Sequence, residues 1–272
     1  MMQLECTAFL QWSLPRLRLR WAGFRKVRQQ VCKRISRRMN ELGLSNLSDY
    51  QDYLKEHPGE WQVLDSFCRI TISRFYRDQA VFDALRSTLL PSSAAQAMSA
   101  GSSELRCWSA GCCSGEEAYT LQILWKTCVL PVLRQDLLLH IIATDADDAV
   151  LARAQQGWYS KSSIKDLPGA LIQQAFTRSG DLYTIKKIFT ESITFVQQDI
   201  REQLPDGPFH LILCRNFVFT YFAEALQREL LEKMIARLAT GGILVIGSHE
   251  SIPQGTTMIV PCGSIRGIYK KA

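Results

Sequence analysis

The stretch Leu105-Arg-Cys-Trp-Ser-Ala-Gly-Cys-Cys-Ser-Gly-Glu-Glu-Ala-Tyr119 constrains the fold more than any other part of the chain. A short apolar run, Leu105–Ala110, ends in a loop with glycines at 111 and 115, and a helix opens on Glu116 and Glu117. Strand, glycine turn and helix in that order make the first unit of a doubly wound α/β domain, and glycine there lets a ligand approach the backbone closely. A turn of purely structural purpose has the same glycines, so the two acids carry the chemical information. Dinucleotide sites offer bare helix-terminal N–H groups to a pyrophosphate. Carboxylates in the first turn repel phosphate and suit a ligand with a cationic amino end and a sulfonium centre.

The alternation continues through the C-terminal part. Apolar runs at Leu138–Thr144, Ile193–Val196, Phe209–Cys214 and Ile243–Ile246, with a closing segment Ser264–Tyr269, are separated by helical patterns at Glu116–Leu130, Ala149–Gln156 and Ala223–Leu238. Continuous apolar strands separated by helices predict a mostly parallel sheet covered on both faces, a Rossmann-like α/β domain over residues 105–272.

Residues 1–90 read differently. Val27, Val31, Ile35, Met39 and Leu42 recur at helical spacing until Gly43; Ser48 with Asp49 predicts a second helix over Tyr50–Lys55, and Trp61–Cys68 and Gln79–Leu89 a third and fourth. The small, unpatterned run Pro91–Ser103 is the expected linker at 91–104. At 272 residues, a small all-α N-terminal domain and one larger α/β domain account for the chain.

The net charge of +6 is concentrated: residues 1–43 hold ten Lys and Arg against Glu5 and Glu41. This basic helical stretch is either a solvated face or a docking surface for an acidic partner; without an aromatic stacking platform it argues against nucleic acid. The first 22 residues are Arg-rich, as in a transit peptide, but the pattern runs on into a helix and is read as part of the fold. No stretch approaches the ~20 apolar residues of a membrane span. Nine cysteines with no zinc-type pairing lie mostly in apolar runs, which predicts buried free thiols, no metal site and a reducing, cytoplasmic compartment.

Further candidate residues fall at strand ends. Asp145 closes the second strand beside the glycine loop, where ribose hydroxyls lie in such folds; capping the following helix is its alternative role. Asp199 follows the third strand and either meets an adenine edge or sits in a surface turn. Arg215 and Asn216 leave the fourth strand at the same edge. The aromatic run Phe217-Val-Phe-Thr-Tyr-Phe222 is expected to pack under the sheet, and His249 and Glu250, which look catalytic, are expected to cap a turn.

Taken together, these residues resemble the CheR-type chemotaxis receptor methyltransferases, from about Phe24 to the end. The likeness rests on Arg34–Leu54 with its Leu-Gly-Leu and Tyr50, on Thr71-Ile-Ser73-Arg-Phe-Tyr-Arg77, on Trp108-Ser-Ala-Gly-Cys-Cys-Ser-Gly-Glu-Glu117, on Asp145, and on Cys214-Arg215-Asn216. It implies a seven-stranded methyltransferase sheet and S-adenosylmethionine as cofactor. Thr71, Ser73, Arg77, Ala110, Gly111, Glu117, Asp145, Asp199, Ile200, Arg215 and Asn216 would bind it, and Arg77 and Tyr221 would act on the substrate. The family reaction is methyl-ester formation on glutamates of receptor helices, so a protein partner is implied. The family also inserts a small antiparallel subdomain, used in some members to dock receptor tails; here it is expected to be reduced to a hairpin near 180–196. Two other functions share these residues: methyl transfer to a small molecule or another protein, and a non-catalytic cofactor-sensing or scaffold module.

Overall fold

In the computed structural model, which describes residues 2–133 and 136–272, the chain divides into two units. One runs through Ile70 and takes in Val218–Arg228; the other comprises Thr71–Phe217 and Glu229–Ala272. Arg134 and Gln135 lie outside the described residues.

The first unit is helical, with helices Met2–Ser13, Trp21–Phe24, Arg28–Glu41, Leu47–Glu56 and Glu60–Phe67. Val31, Ile35 and Met39 form the buried stripe of Arg28–Glu41, as their spacing predicts. The next helix begins earlier than Ser48-Asp49 suggests, because Asn46 is its cap: Asn46 Oδ1 accepts the Asp49 N–H at 2.9 Å. Phe9 stacks on Tyr50 with centroids 5.6 Å apart, and Trp12 lies 5.6 Å from Trp61. Buried Glu60 takes a two-pronged ion pair from Arg38, both bonds at 2.9 Å, and the Tyr50 hydroxyl at 2.9 Å. Arg34 donates to the carbonyls of Phe67 and Arg69, so two cations of the basic helix serve internal contacts.

Two expectations are corrected in this unit. Cys6 and Cys32 form a disulfide between the first helix and the basic helix, so not every cysteine is a free buried thiol. The aromatic run at 217–222 is divided between the units: its Val218–Tyr221 turn belongs here and Phe217 to the other unit. Arg20 Nε donates to Thr220 O at 3.0 Å, its Nη2 donates to Phe219 O, and the Tyr221 ring lies 5.1 Å from Phe24. Gly23 permits that approach, because a Cβ there would meet Thr220 O at 2.2 Å.

The described residues of the second unit form ten strands: β1 Glu104–Ala110, β2 Leu138–Asp145, β3 Trp158–Ser160, β4 Phe176–Ser179, β5 Leu182–Ile185, β6 Ile193–Gln197, β7 Phe209–Cys214, β8 Leu238–Ile246, β9 Ile259–Pro261 and β10 Ile268–Lys271. Seven form one sheet in the order β6-β2-β1-β7-β8-β10-β9. The first five of these are mutually parallel, and β10 and β9 close the edge antiparallel. The chain winds outward from β1 to β2 and β6 on one side, and returns through β7 and β8 on the other. The β1–β7 boundary is therefore the topological switch point, and the crevice outside its carboxyl ends is where such sheets bind ligands.

The division at residue 90 and the linker at 91–104 are not what the structure has. Leu90–Ser99 is a helix with Pro91 in its first turn and with Ser93, Ala94 and Ala97 buried, packed on β1 and β7. Small residues that read as flexible in sequence have high helix propensity as alanines and allow close packing. The helical unit ends at Ile70 instead.

The insertion is also larger than a hairpin. β3, β5 and β4 make a three-stranded antiparallel sheet in that order, carrying Tyr159, Phe176 and Ile185 buried on one face, with Phe75 edge-on to Tyr159 at 4.7 Å and to Phe176 at 5.2 Å. Ile193–Gln197 is not its partner; it pairs with β2 in the main sheet.

Candidate active site

The loop after β1 is shaped by its glycines. Gly111 has φ +72° and Gly115 φ +83°, conformations that side chains resist. A Cβ on Gly111 would meet the Phe217 ring at 2.7 Å, and one on Gly115 would meet Tyr119, Ala154 and Phe195 at 3.0–3.1 Å. The loop folds back over the end of β2, where Thr144 O accepts the N–H groups of Gly111 at 2.8 Å and Cys112 at 3.0 Å. Asp145 completes this junction: Oδ2 accepts the Cys113 N–H at 2.9 Å and Oδ1 that of Asp147 at 3.0 Å. The cap of the following helix is Asp147, not Asp145.

Across the switch point, Glu117 reaches back to β1 and over to Arg215, which follows β7. Its Oε1 accepts the Ser109 hydroxyl at 2.7 Å and its Oε2 faces Arg215 Nη1 at 3.0 Å. Arg215, buried, turns Nη2 to Asp78 Oδ2 at 2.8 Å and to the carbonyl of Arg77 at 2.6 Å, with its guanidinium carbon 4.8 Å from the Phe82 ring centroid. The Thr71–Arg77 segment is thus tied to the ends of β1 and β7. Arg77's own guanidinium is partly exposed and donates to Ile72 O at 3.2 Å. Ser73 lies beside Glu116, a residue 5% exposed whose Oε2 is buried without a hydrogen-bond partner among the described residues. Burial pushes the Glu116 carboxyl upward from its ordinary value.

Asp199 is engaged by its neighbour Arg201, with Nη2 to Oδ2 at 2.6 Å and Nε to Oδ1 at 3.0 Å, in the turn after β6. Buried Ile200 lies between them in sequence, and the Gln198 N–H donates to Asp145 O at 2.9 Å, which brings the segment beside β2. Asn216 has φ +54°, and its turn is held by Glu250. Burial raises the Cys112 thiol and pushes Cys113 up to about 12, so both loop cysteines stay protonated at neutral pH.

The expected residues Thr71, Ser73, Arg77, Ala110, Gly111, Glu117, Asp145, Asp199, Ile200, Arg215 and Asn216 all belong to the second unit, at or leading to the carboxyl edge of its sheet. Tyr221 belongs to the helical unit. Asp78 and Ser109 are additional members that the sequence does not single out. Asp78 immediately follows Arg77, and its left-handed φ of 63° aims it where sequence spacing gives no sign.

Two family models match this chain: "CheR methyltransferase, SAM binding domain" over residues 71–267 and "CheR methyltransferase, all-alpha domain" over 26–64. The chain belongs to the CheR methyltransferase family. The longer match begins one residue after the structural boundary at Ile70. Among curated relatives, the chemotaxis protein methyltransferase of Borreliella burgdorferi is 31% identical over 224 residues, covering 80% of this chain and 78% of that protein. That of Listeria monocytogenes is 32% identical over 206 residues, covering 75% of each. A 104.1 kDa protein of Rhodobacter capsulatus is 32% identical over 224 residues, covering 82% of this chain but 23% of that much longer protein.

The cofactor of a CheR methyltransferase is S-adenosylmethionine. The donor set here fits its chemistry. Glu117 and Asp145 put carboxylates at the mouth of the sheet, and Arg215, which pairs with Glu117, is also matched by Asp78. Such a site offers acceptors to amino and hydroxyl groups and little attraction for a phosphate.

Proposed function

We propose that this chain transfers the methyl group of S-adenosylmethionine to glutamate side chains of a receptor-like protein, forming methyl esters. The names of the Borreliella and Listeria relatives support the chemotactic setting. The observation that carries the reading is the joint placement of Glu117, in the helix after the β1 loop, and Asp145, at the end of β2, at the carboxyl edge of the sheet, with the backbone of Arg77 tied to the same edge through Arg215.

In this reading Asp145 holds the ribose hydroxyls and Glu117 the amino end of the cofactor. Ala110 and Gly111 line the approach with backbone, and Thr71, Ser73, Ile200 and Asn216 complete the walls. Arg215 works by fixing Glu117, and Asp199, clamped by Arg201, works by shaping its turn. When bound, the cofactor supplies an electrophilic methyl group on a cationic sulfur. The acceptor carboxylate is ionised at neutral pH and is itself a nucleophile, so no general base is needed. Arg77 orients that carboxylate by a charge-assisted hydrogen bond. Positioning then carries the reaction, an effect that reaches ~7–11 kcal/mol in favourable systems. Tyr221, in the helical unit, is given no role. The complete three-stranded sheet β3-β5-β4 favours a protein acceptor, since it restores the element that some family members use for docking.

The test is to incubate the protein with methyl-labelled cofactor and a soluble acidic receptor fragment. Label that base releases as methanol is expected; label that survives base, or none on the fragment, contradicts the reading.

A further inference from the structure

We infer that Glu250 is a positioning residue of the cofactor site, acting as a clamp on the turn that carries Arg215 and Asn216. This rests on the functional reading above.

Glu250 lies in the segment after β8 and is 5% exposed. Its carboxylate gathers three backbone N–H groups from two loops: Oε2 accepts from Asn216 at 2.8 Å and from Gly247 at 2.6 Å, and Oε1 accepts from Phe217 at 3.1 Å. A carboxylate is the one side-chain group that accepts on both oxygens without presenting a donor. The two N–H groups of Asn216 and Phe217 follow each other in a turn whose φ at Asn216 is +54°, a conformation that a non-glycine residue holds only when its surroundings impose it. Gly247 is shaped to the same purpose: a Cβ there would meet Glu250 Oε2 at 2.8 Å and Asn216 Oδ1 at 3.0 Å.

Two consequences follow from the clamped turn. The first is the aim of Arg215, one residue earlier, whose fork reaches Glu117 and Asp78 together. The second is the seat of Phe217, whose ring lies where a Gly111 Cβ would be and so backs the glycine loop. Through that turn, Glu250 bears on both the acids and the loop. The sequence reading of Glu250 as a turn cap is therefore right in chemistry and incomplete in consequence.

The test uses the full chain with Glu250→Gln and, as a second disturbance that keeps the carboxylate, Gly247→Ala. Affinity for S-adenosylhomocysteine is read by calorimetry, and amide hydrogen exchange is read on the peptide covering 214–218. Both variants should exchange faster in that peptide than the wild type, with helices distant from it unchanged. Glu250→Gln, which turns an amide donor toward one of the three N–H groups, should bind at least about tenfold more weakly. Adding Arg215→Lys to Glu250→Gln should then weaken binding by less than the two single effects combined, because both act through one turn. Wild-type affinity and unchanged exchange in Glu250→Gln would overturn the clamp. A wild-type protein that binds no S-adenosylhomocysteine would overturn the functional reading instead.

Discussion

Arg215 Nη1 lies 3.0 Å from Glu117 Oε2, an ion pair that spans 98 residues of sequence and joins the end of the first parallel strand to the end of the fourth. The same guanidinium meets Asp78, so one cation stands between two carboxylates, and the pair with Glu117 does not neutralise the site. Fixing Glu117 in this way removes its freedom before any ligand arrives. Pre-organised carboxylates bind a cationic group with less ordering entropy lost at the moment of binding.

Removing the shared cation should therefore harm both fold and binding. Arg215→Ala leaves two partly buried carboxylates without their shared cation, and unfolding in urea should show a loss of about 3 kcal/mol, the low end for breaking a buried pair from one side because Asp78 and Glu117 keep some exposure. Arg215→Lys keeps the charge without the fork, and should lose cofactor affinity while losing less stability.

A pH signature is expected from Glu116. Burial raises its carboxyl above the ordinary carboxylate value, so between the unfolded and the folded titrations the folded chain holds a proton that the unfolded chain releases. The stability tied to that proton is fully present below the unfolded value and is lost as pH rises through the folded one. Glu116→Gln keeps the shape and removes the titration, so its unfolding free energy should fall less steeply than the wild type's as pH rises from about 4.5. Parallel pH profiles for the two proteins would contradict this.

The disulfide gives a chemical count. Of nine cysteines, Cys6 and Cys32 are paired and seven are free, so thiol titration in denaturant without reductant should find seven reactive groups. Their separation of 26 residues sets the loop that the crosslink closes, and reduction should lower stability by about 3–4 kcal/mol on the chain-entropy model. Nine titratable thiols in the protein as isolated would mean that the pair is reduced.

What the sequence made legible was local. A strand, a glycine loop and a helix opening on two acids are consecutive, so the elements of Leu105–Tyr119 and the place of Asp145 at the next strand end are readable directly. What it hid was long-range or short-pitched. β3 and β4 are three and four residues long, too short to show a period, and the insertion looked like a hairpin for that reason. Leu90–Ser99 hides a buried helix behind alanines and serines that resemble a linker. The Cys6–Cys32 pair depends on how two helices meet. Asp78 and Glu250 act across 137 and 34 residues on the Arg215–Asn216 turn, contacts that no local pattern announces.

The most direct test of the central claim is a calorimetric comparison of S-adenosylhomocysteine with a phosphate-bearing dinucleotide, on wild type and Asp145→Ala. If acids at the mouth of the sheet select the cofactor, the wild type binds the nucleoside thioether and not the dinucleotide, and Asp145→Ala weakens that binding by about 10- to 100-fold, the worth of a hydrogen bond to a charged group. Equal binding of the dinucleotide, or an Asp145→Ala variant with wild-type affinity, would contradict the account.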